Sequence, residues 1–287
     1  MKKVLIPLFL LLLSFAVVYV GSEIRLHTFD WPPEFEGVVA EDAATIERGR
    51  HAMRIRGCFG CHGQKLEGRV FTEQWEWVKK AVAPNLAQYA KTYDVATLER
   101  AIRHGVGADG RALWSMPSYN FVHVSDDDLL AMIAYMRSAP VVEKPLPEPD
   151  WGWKVRWEAL TGSFPHAVAY SEQVPRLRVD AEQQPQLARG EYLAMTTCNE
   201  CHGLDLRGEV FPDMTTPDLA VMMKIYSPED FRRLLQQGVA IGGRTDLGLM
   251  SLVIPDRFPY LTEQELTDLY AFLRALAEGR AYVPESH

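Results

Sequence analysis

The stretch CFGCHGQKLEGRVF (residues 58–71) returns as CNECHGLDLRGEVF (residues 198–211), and the two copies hold all four cysteines of the chain. The likeness extends beyond them. Upstream, IERGRHAMRIRGC (46–58) matches LARGEYLAMTTC (187–198), with one residue fewer in the second copy; both read as a helix delivering its C-terminal end to the cysteine pair. Downstream, PNLA at Pro84 matches PDLA at Pro217, GV recurs at Gly105 and Gly238, and GR recurs at Gly110-Arg111 and Gly243-Arg244. Offsets this regular predict two copies of one small domain, and 287 residues are long enough for about two domains.

Each copy is predicted to close on an amphipathic helix opened by an S/T-x-x-D/E capping box, whose hydroxyl and carboxylate satisfy first-turn N–H groups. Ser125 with Asp128 opens SDDDLLAMIAYMRS, and Thr262 with Glu265 opens TEQELTDLYAFLRAL. Leu129, Met132, Ile133 and Met136 in the first, and Leu266, Leu269, Tyr270 and Leu273 in the second, fall at helical spacing. No period-2 strand of any length appears, so both halves read as mainly α. Between them APVVEKPLPEPD (139–150) suits an extended linker. In the stretch that follows, Trp151, Trp153 and Trp157 suit either a cover over the interface between domains or a docking or membrane-surface face.

The composition, 47% apolar and 24% charged, is that of a folded chain. A formal charge of −8 speaks against nucleic acid, which needs a basic face, and suits partners with basic patches. At the N-terminus Lys2 and Lys3 precede an apolar run from Val4 to Gly21. As a helix it reaches ~27 Å, close to the ~30 Å hydrocarbon thickness, whereas a signal-peptide core is ~7–15 residues. The expectation is an uncleaved, single-pass membrane anchor with the lysines in the cytoplasm and the remainder in the periplasm. A cleaved signal peptide, with VGS (20–22) as its site, is the competing reading.

Four chemistries use a close cysteine pair. A disulfide explains neither the histidine after the second cysteine nor its recurrence. A thioredoxin-like pair would lie near a βαβ pattern, and none is visible. Zinc needs two pairs far closer together than these. Covalent haem c uses every residue: two thiols on one helical turn reach the two vinyl groups of a porphyrin, and the adjoining histidine meets the iron. The expectation is two covalently bound haem c groups, one on Cys58 and Cys61 with His62 as proximal ligand, the other on Cys198 and Cys201 with His202.

With these motifs the chain resembles a membrane-anchored dihaem cytochrome c built from two class I cytochrome c domains, over roughly 43–140 and 183–278. The resemblance implies a leading helix crossed by the final one, with Gly49 near Tyr135 and Gly190 near Phe272 at the crossings. It also implies that the carbonyls of Pro84 and Pro217 accept a bond from the proximal histidines, and that a loop before the last helix carries a distal methionine. Among ten methionines, Met116 in LWSMPSYNF and Met250 in LGLMSLVIP lie in that position. Met132 and Met136 fall at core spacing, Met53 and Met195 lie on the leading helices, and Met214, Met222 and Met223 come too early. His123 is the rival of Met116, while His51, His104 and His166 are weaker; Arg111 and Arg244 could reach propionates or simply be solvated.

The resulting division is an anchor over 1–22, a first cytochrome domain over 23–138, a Pro/Trp-rich linker over 139–182 and a second domain over 183–287. If both irons carry two protein ligands, neither binds a substrate, which makes the chain an electron carrier and not an enzyme. Its expected partners are redox proteins: a quinol-oxidising membrane complex or periplasmic dehydrogenase as donor, a soluble cytochrome or terminal oxidase as acceptor, with the chain free or a fixed subunit of a larger complex. The alternative is a dihaem peroxidase or related dihaem oxidoreductase, which needs one displaceable axial position and acid/base groups beside it.

Overall fold

The computed structural model of the chain describes residues 2–72, 78–163, 166–211 and 214–281. Helix α1 (Lys2–His27) leads into a first helical unit: α2 (Ala43–Ile55), the single turn α3 (Cys58–His62), α4 (Leu86–Thr92), α5 (Val95–Glu99), continued by a π-helical turn over Arg100–His104, and α6 (Asp126–Ser138). Helices α7 (Gly152–Thr161) and α8 (Ala167–Ser171) follow. The second unit repeats the order: α9 (Pro185–Thr197), α10 (Asn199–His202), α11 (Leu219–Met222), α12 (Pro228–Gln237), α13 (Leu249–Arg257) and α14 (Glu263–Ala277). A two-residue antiparallel pair, β1 (Arg69–Val70) with β2 (Val82–Ala83), sets Arg69 opposite Ala83. The chain is mainly α, with two cytochrome-like helical units behind an apolar N-terminal helix.

Each unit is organised by the crossing of its first and last helices. A Cβ on Gly49 would lie 1.8 Å from the Ala131 carbonyl oxygen, so α2 and α6 touch backbone to backbone. A Cβ on Gly190 would lie 2.1 Å from the Asp268 carbonyl oxygen and 2.5 Å from the Phe272 Cβ, so α9 and α14 do the same. In the first unit the closest contact falls on Ala131 and Met132, one turn before Tyr135, whose ring meets Phe59 at 6.1 Å. Met53, Met132 and Met136 fill the first core, Met195 and Met223 the second. The repeated GV dipeptides mark helix ends: Gly105 and Gly238 are C-caps with φ of 69° each, the left-handed conformation that glycine adopts without steric cost.

Ser125 and Thr262 cap the final helices, each accepting from the backbone N–H three residues on. Only the second completes the reciprocal box. The Asp128 carboxylate turns away to accept from the Arg56 guanidinium at 3.0 Å and the Tyr192 hydroxyl at 2.5 Å. Those bonds belong to the interface between the units, because Arg56 is on the first and Tyr192 on the second. His51 and Glu265 approach to 2.8 Å across it, and Ile55 of α2 is buried in the second core. His123 ties the first unit to the segment before α9 through Nε2, 2.7 Å from the Pro175 carbonyl oxygen.

The proline-rich stretch 139–150 is extended yet tied along the first unit. The Asn85 amide donates to the Val142 carbonyl, Lys144 to that of Gly68, and Lys80 and Asp150 form an antiparallel bridge. The three tryptophans that follow divide. Trp151 stacks on Trp114 at 6.5 Å beneath the Arg111 guanidinium, while Trp153 and Trp157 face outward. Arg111 also faces Glu23 and Asp109, so it serves the junction of α1 with the folded body. Helix α1 outlasts its apolar run by a turn and a half, and in that extension Ser22 and Leu26 are fully buried.

Candidate haem-binding sites

In both units a helix ends where the C-x-x-C-H turn begins, which sets the two thiols three positions apart on one turn and the histidine at its end. After the turn, the Gly68 N–H donates to the His62 carbonyl at 2.7 Å and the Gly208 N–H to the His202 carbonyl at 2.7 Å. This tight return carries the chain round to the following proline. In the first unit β2 delivers Pro84; in the second the isolated bridge between Val210 and Thr215 delivers Pro217. The result is the same bond twice: Nδ1 of His62 lies 2.9 Å from the Pro84 carbonyl oxygen, and Nδ1 of His202 lies 2.9 Å from that of Pro217.

A carbonyl oxygen only accepts, so Nδ1 carries the proton and Nε2 keeps its lone pair. Burial pushes the pKa of both histidines below the ordinary imidazole value, which holds the rings neutral. Burial pushes the Cys58 thiol up to about 12 and raises Cys198, while burial with the nearby Glu200 brings Cys201 to about 12. Two thiols on one turn, beside a neutral imidazole with Nε2 available, form a donor set that fits covalently bound haem c in each unit.

Met116 and Met250 are both half-buried and pack against the core of their own unit. Met116 lies in irregular chain, as expected, just before Pro117 and a 3₁₀ turn over Ser118–Phe121. Met250 does not: it is the second residue of α13, where an irregular segment was expected. The cause is local, since Ser251 accepts from the Leu247 N–H at 2.8 Å and donates to the Thr245 carbonyl at 3.0 Å, organising the preceding loop into a helix start.

One residue at the site escapes a motif reading. Arg257, at the end of α13, lies with its side chain 14% exposed and donates to Glu200 at 2.9 Å, inside the second C-x-x-C-H turn. The same guanidinium packs on Gly57, the residue before Cys58, where a Cβ would meet Nε at 2.1 Å. A single charge therefore stands between the two turns and acts on Cys58, Cys198 and Cys201. The sequence carries a faint signal for this: the first copy is one residue longer between its helix glycine and its first cysteine, and at Gly57 a Cβ would meet the guanidinium.

A family model described as cytochrome c matches residues 46–140 and 187–277. The chain is 24% identical over 270 residues to the cytochrome c subunit of alcohol dehydrogenase (quinone) from Gluconacetobacter polyoxogenes, with 82% of this chain and 56% of that protein covered. It is 24% identical over 276 residues to the gluconate 2-dehydrogenase cytochrome c subunit of Pantoea cypripedii, covering 81% and 60%. Over 259 residues it is 24% identical to the fructose dehydrogenase cytochrome subunit of Gluconobacter japonicus, covering 81% and 52%. The chain thus spans a little over half the length of these relatives.

Proposed function

Because this chain belongs to the cytochrome c family, whose domains imply covalently bound haem c, we propose that it is a dihaem electron carrier serving a dehydrogenase at the periplasmic face of a membrane. Cys58 and Cys61 attach one haem and Cys198 and Cys201 the other; His62 and His202 are the proximal ligands, Met116 and Met250 the distal ones. The units responsible are residues 23–138 and 183–287. The observation that carries the reading is the duplicated histidine-to-proline carbonyl bond at 2.9 Å, which presets Nε2 toward an iron in both halves. Its first test is the pyridine haemochrome stoichiometry, expected at two haems c per chain; one or none sinks it.

Haem iron supplies one-electron redox chemistry. The chain's own residues orient the imidazoles, and Met116 and Met250 would hold the iron with them. A thioether opposite histidine favours the ferrous state and raises the potential. Met116→Ala and Met250→Ala are each expected to abolish the red charge-transfer band of one methionine-bound ferric haem. If neither substitution perturbs that band, the assignment fails; rapid peroxide turnover by the parent chain would instead support the peroxidase reading.

Arg257 is a positioning residue between the two C-x-x-C-H turns. A fixed cation there would favour the reduced forms of haems attached to those turns, so Arg257→Gln, which also leaves Glu200 unpaired, is expected to lower both midpoints by roughly 50 mV, the scale of one charge at an effective dielectric near 20. Arg257→Lys restores most of the shift. A potentiometric titration that moves one midpoint alone contradicts this placement.

The relatives are named as cytochrome subunits of alcohol, gluconate and fructose dehydrogenases. By that likeness the donor is the catalytic subunit of a dehydrogenase; the acceptor is a soluble cytochrome or terminal oxidase. Helix α1 is the anchor: among the described residues one helix, over Ile6–His27, is long and apolar enough to span a bilayer, and its apolar surface is exposed.

A further inference from the structure

Helix α7 runs alongside α1 in the same direction. Trp153 packs on Phe15 with ring centroids 4.8 Å apart, Leu160 fills the space over Gly21, and Gly162 lies beside the Arg25 guanidinium. Between these contacts Arg156 donates to Glu23 at 2.7 Å and to the Ser22 hydroxyl at 3.1 Å, with its guanidinium 4.1 Å from the Tyr19 ring. The chain leading into α7 is held to the first unit by the Lys80–Asp150 bridge. Trp153 and Trp157, one turn apart on one face, remain 50% and 56% exposed. The neighbouring α1 surface, with Val17, Val20 and Ile24, is exposed as well.

We propose that α7 is a second membrane-contacting element, its Trp153–Trp157 face seated in the outer leaflet beside the α1 anchor. The proposal rests on α1 spanning the bilayer. The occupant is lipid because of depth. Phe15 lies six residues before Gly21, about 9 Å along the helix axis, so a ring packed on Phe15 is on the membrane side of the point where the apolar run ends. Tryptophan suits that level, since its apolar body and polar N–H favour the interface. Arg156, a charge that α7 turns toward α1, is paired with Glu23 where the apolar run ends. Two elements in the leaflet fix the rotation of the haem units about the anchor, which one helix cannot do. That orients a docking face toward other membrane proteins.

The test places the full haem-loaded chain in phosphatidylcholine/phosphatidylglycerol vesicles containing a phospholipid with a photoactivatable group near its glycerol end, followed by peptide mass spectrometry. Label is expected on the peptide carrying Trp153 and Trp157 and on the outer half of α1. Trp153→Ser with Trp157→Ser is expected to reduce the α7 label at least five-fold while leaving the α1 label and the haem content unchanged. Labelled α1 with unlabelled α7 in the parent chain overturns the proposal and leaves α1 as a lone span. Absence of label from both overturns the anchor reading, and α7 with it. An α7 label that survives the double substitution overturns the role of the tryptophans.

Discussion

Replacing Gly190 with alanine is expected to destabilise the second unit by about 3 kcal/mol or more, the upper range for overpacking, and valine more still. The reason is that the added methyl itself would stand 2.1 Å from a backbone oxygen of α14, so even the smallest side chain forces the two helices apart. Gly49→Ala should act as strongly on the first unit, where the distance is 1.8 Å. Backbone cannot yield as the end of a flexible side chain can, and the cores on both sides, with Phe272 and Met53 fully buried, open together. Far-UV circular dichroism during heating measures this. With two units the transition is not two-state, so the informative quantity is the midpoint of the first phase. A midpoint within a degree or two of the parent for either variant contradicts the crossing geometry. Glycine to alanine at Gly60, near which an added Cβ meets nothing and whose φ is not positive, is the matched control.

The second large effect concerns haem content. Cys58→Ser with Cys61→Ser is expected to reduce covalent haem from two per chain to one, and Cys198→Ser with Cys201→Ser to do the same. The four substitutions together should leave none. Serine keeps the size and polarity of the thiols but cannot form a thioether, so the loss reports attachment. The haem remaining in each double variant should keep its own midpoint, apart from the influence of its missing neighbour. Undiminished haem in either variant would sink the assignment of that pair. Peptide mass spectrometry of the residual haem-bearing peptide locates the surviving site.

Much of this was legible along the chain because it depends on neighbours in sequence. The caps at Ser125 and Thr262 and the leading helices follow from short-range spacing, while the glycine crossings and the proline carbonyls are what the resemblance to class I cytochrome c domains implies. The departures share a different cause. Asp128 leaves its capping box because Arg56 and Tyr192, remote in sequence, offer it stronger partners at the interface. Met250 enters a helix because Ser251 satisfies backbone groups on both sides of the turn. The tryptophans of 151–157 could not be divided by pattern alone, since what separates Trp151 from Trp153 and Trp157 is the position of Trp114 and of α1.

By itself the sequence determined the duplicated helical architecture, the two C-x-x-C-H turns and the apolar N-terminal helix, since each is written in local periodicity or in motif spacing. Tertiary structure alone decided how the copies meet. It set Arg257 of one unit against Gly57 of the other, tied the proline-rich stretch along the first unit, and laid α7 beside α1. Those relations join residues that no spacing rule connects. They are decided by burial, by the pairing of charges taken out of water and by the fit of one helix against another, which exist only after the chain has folded.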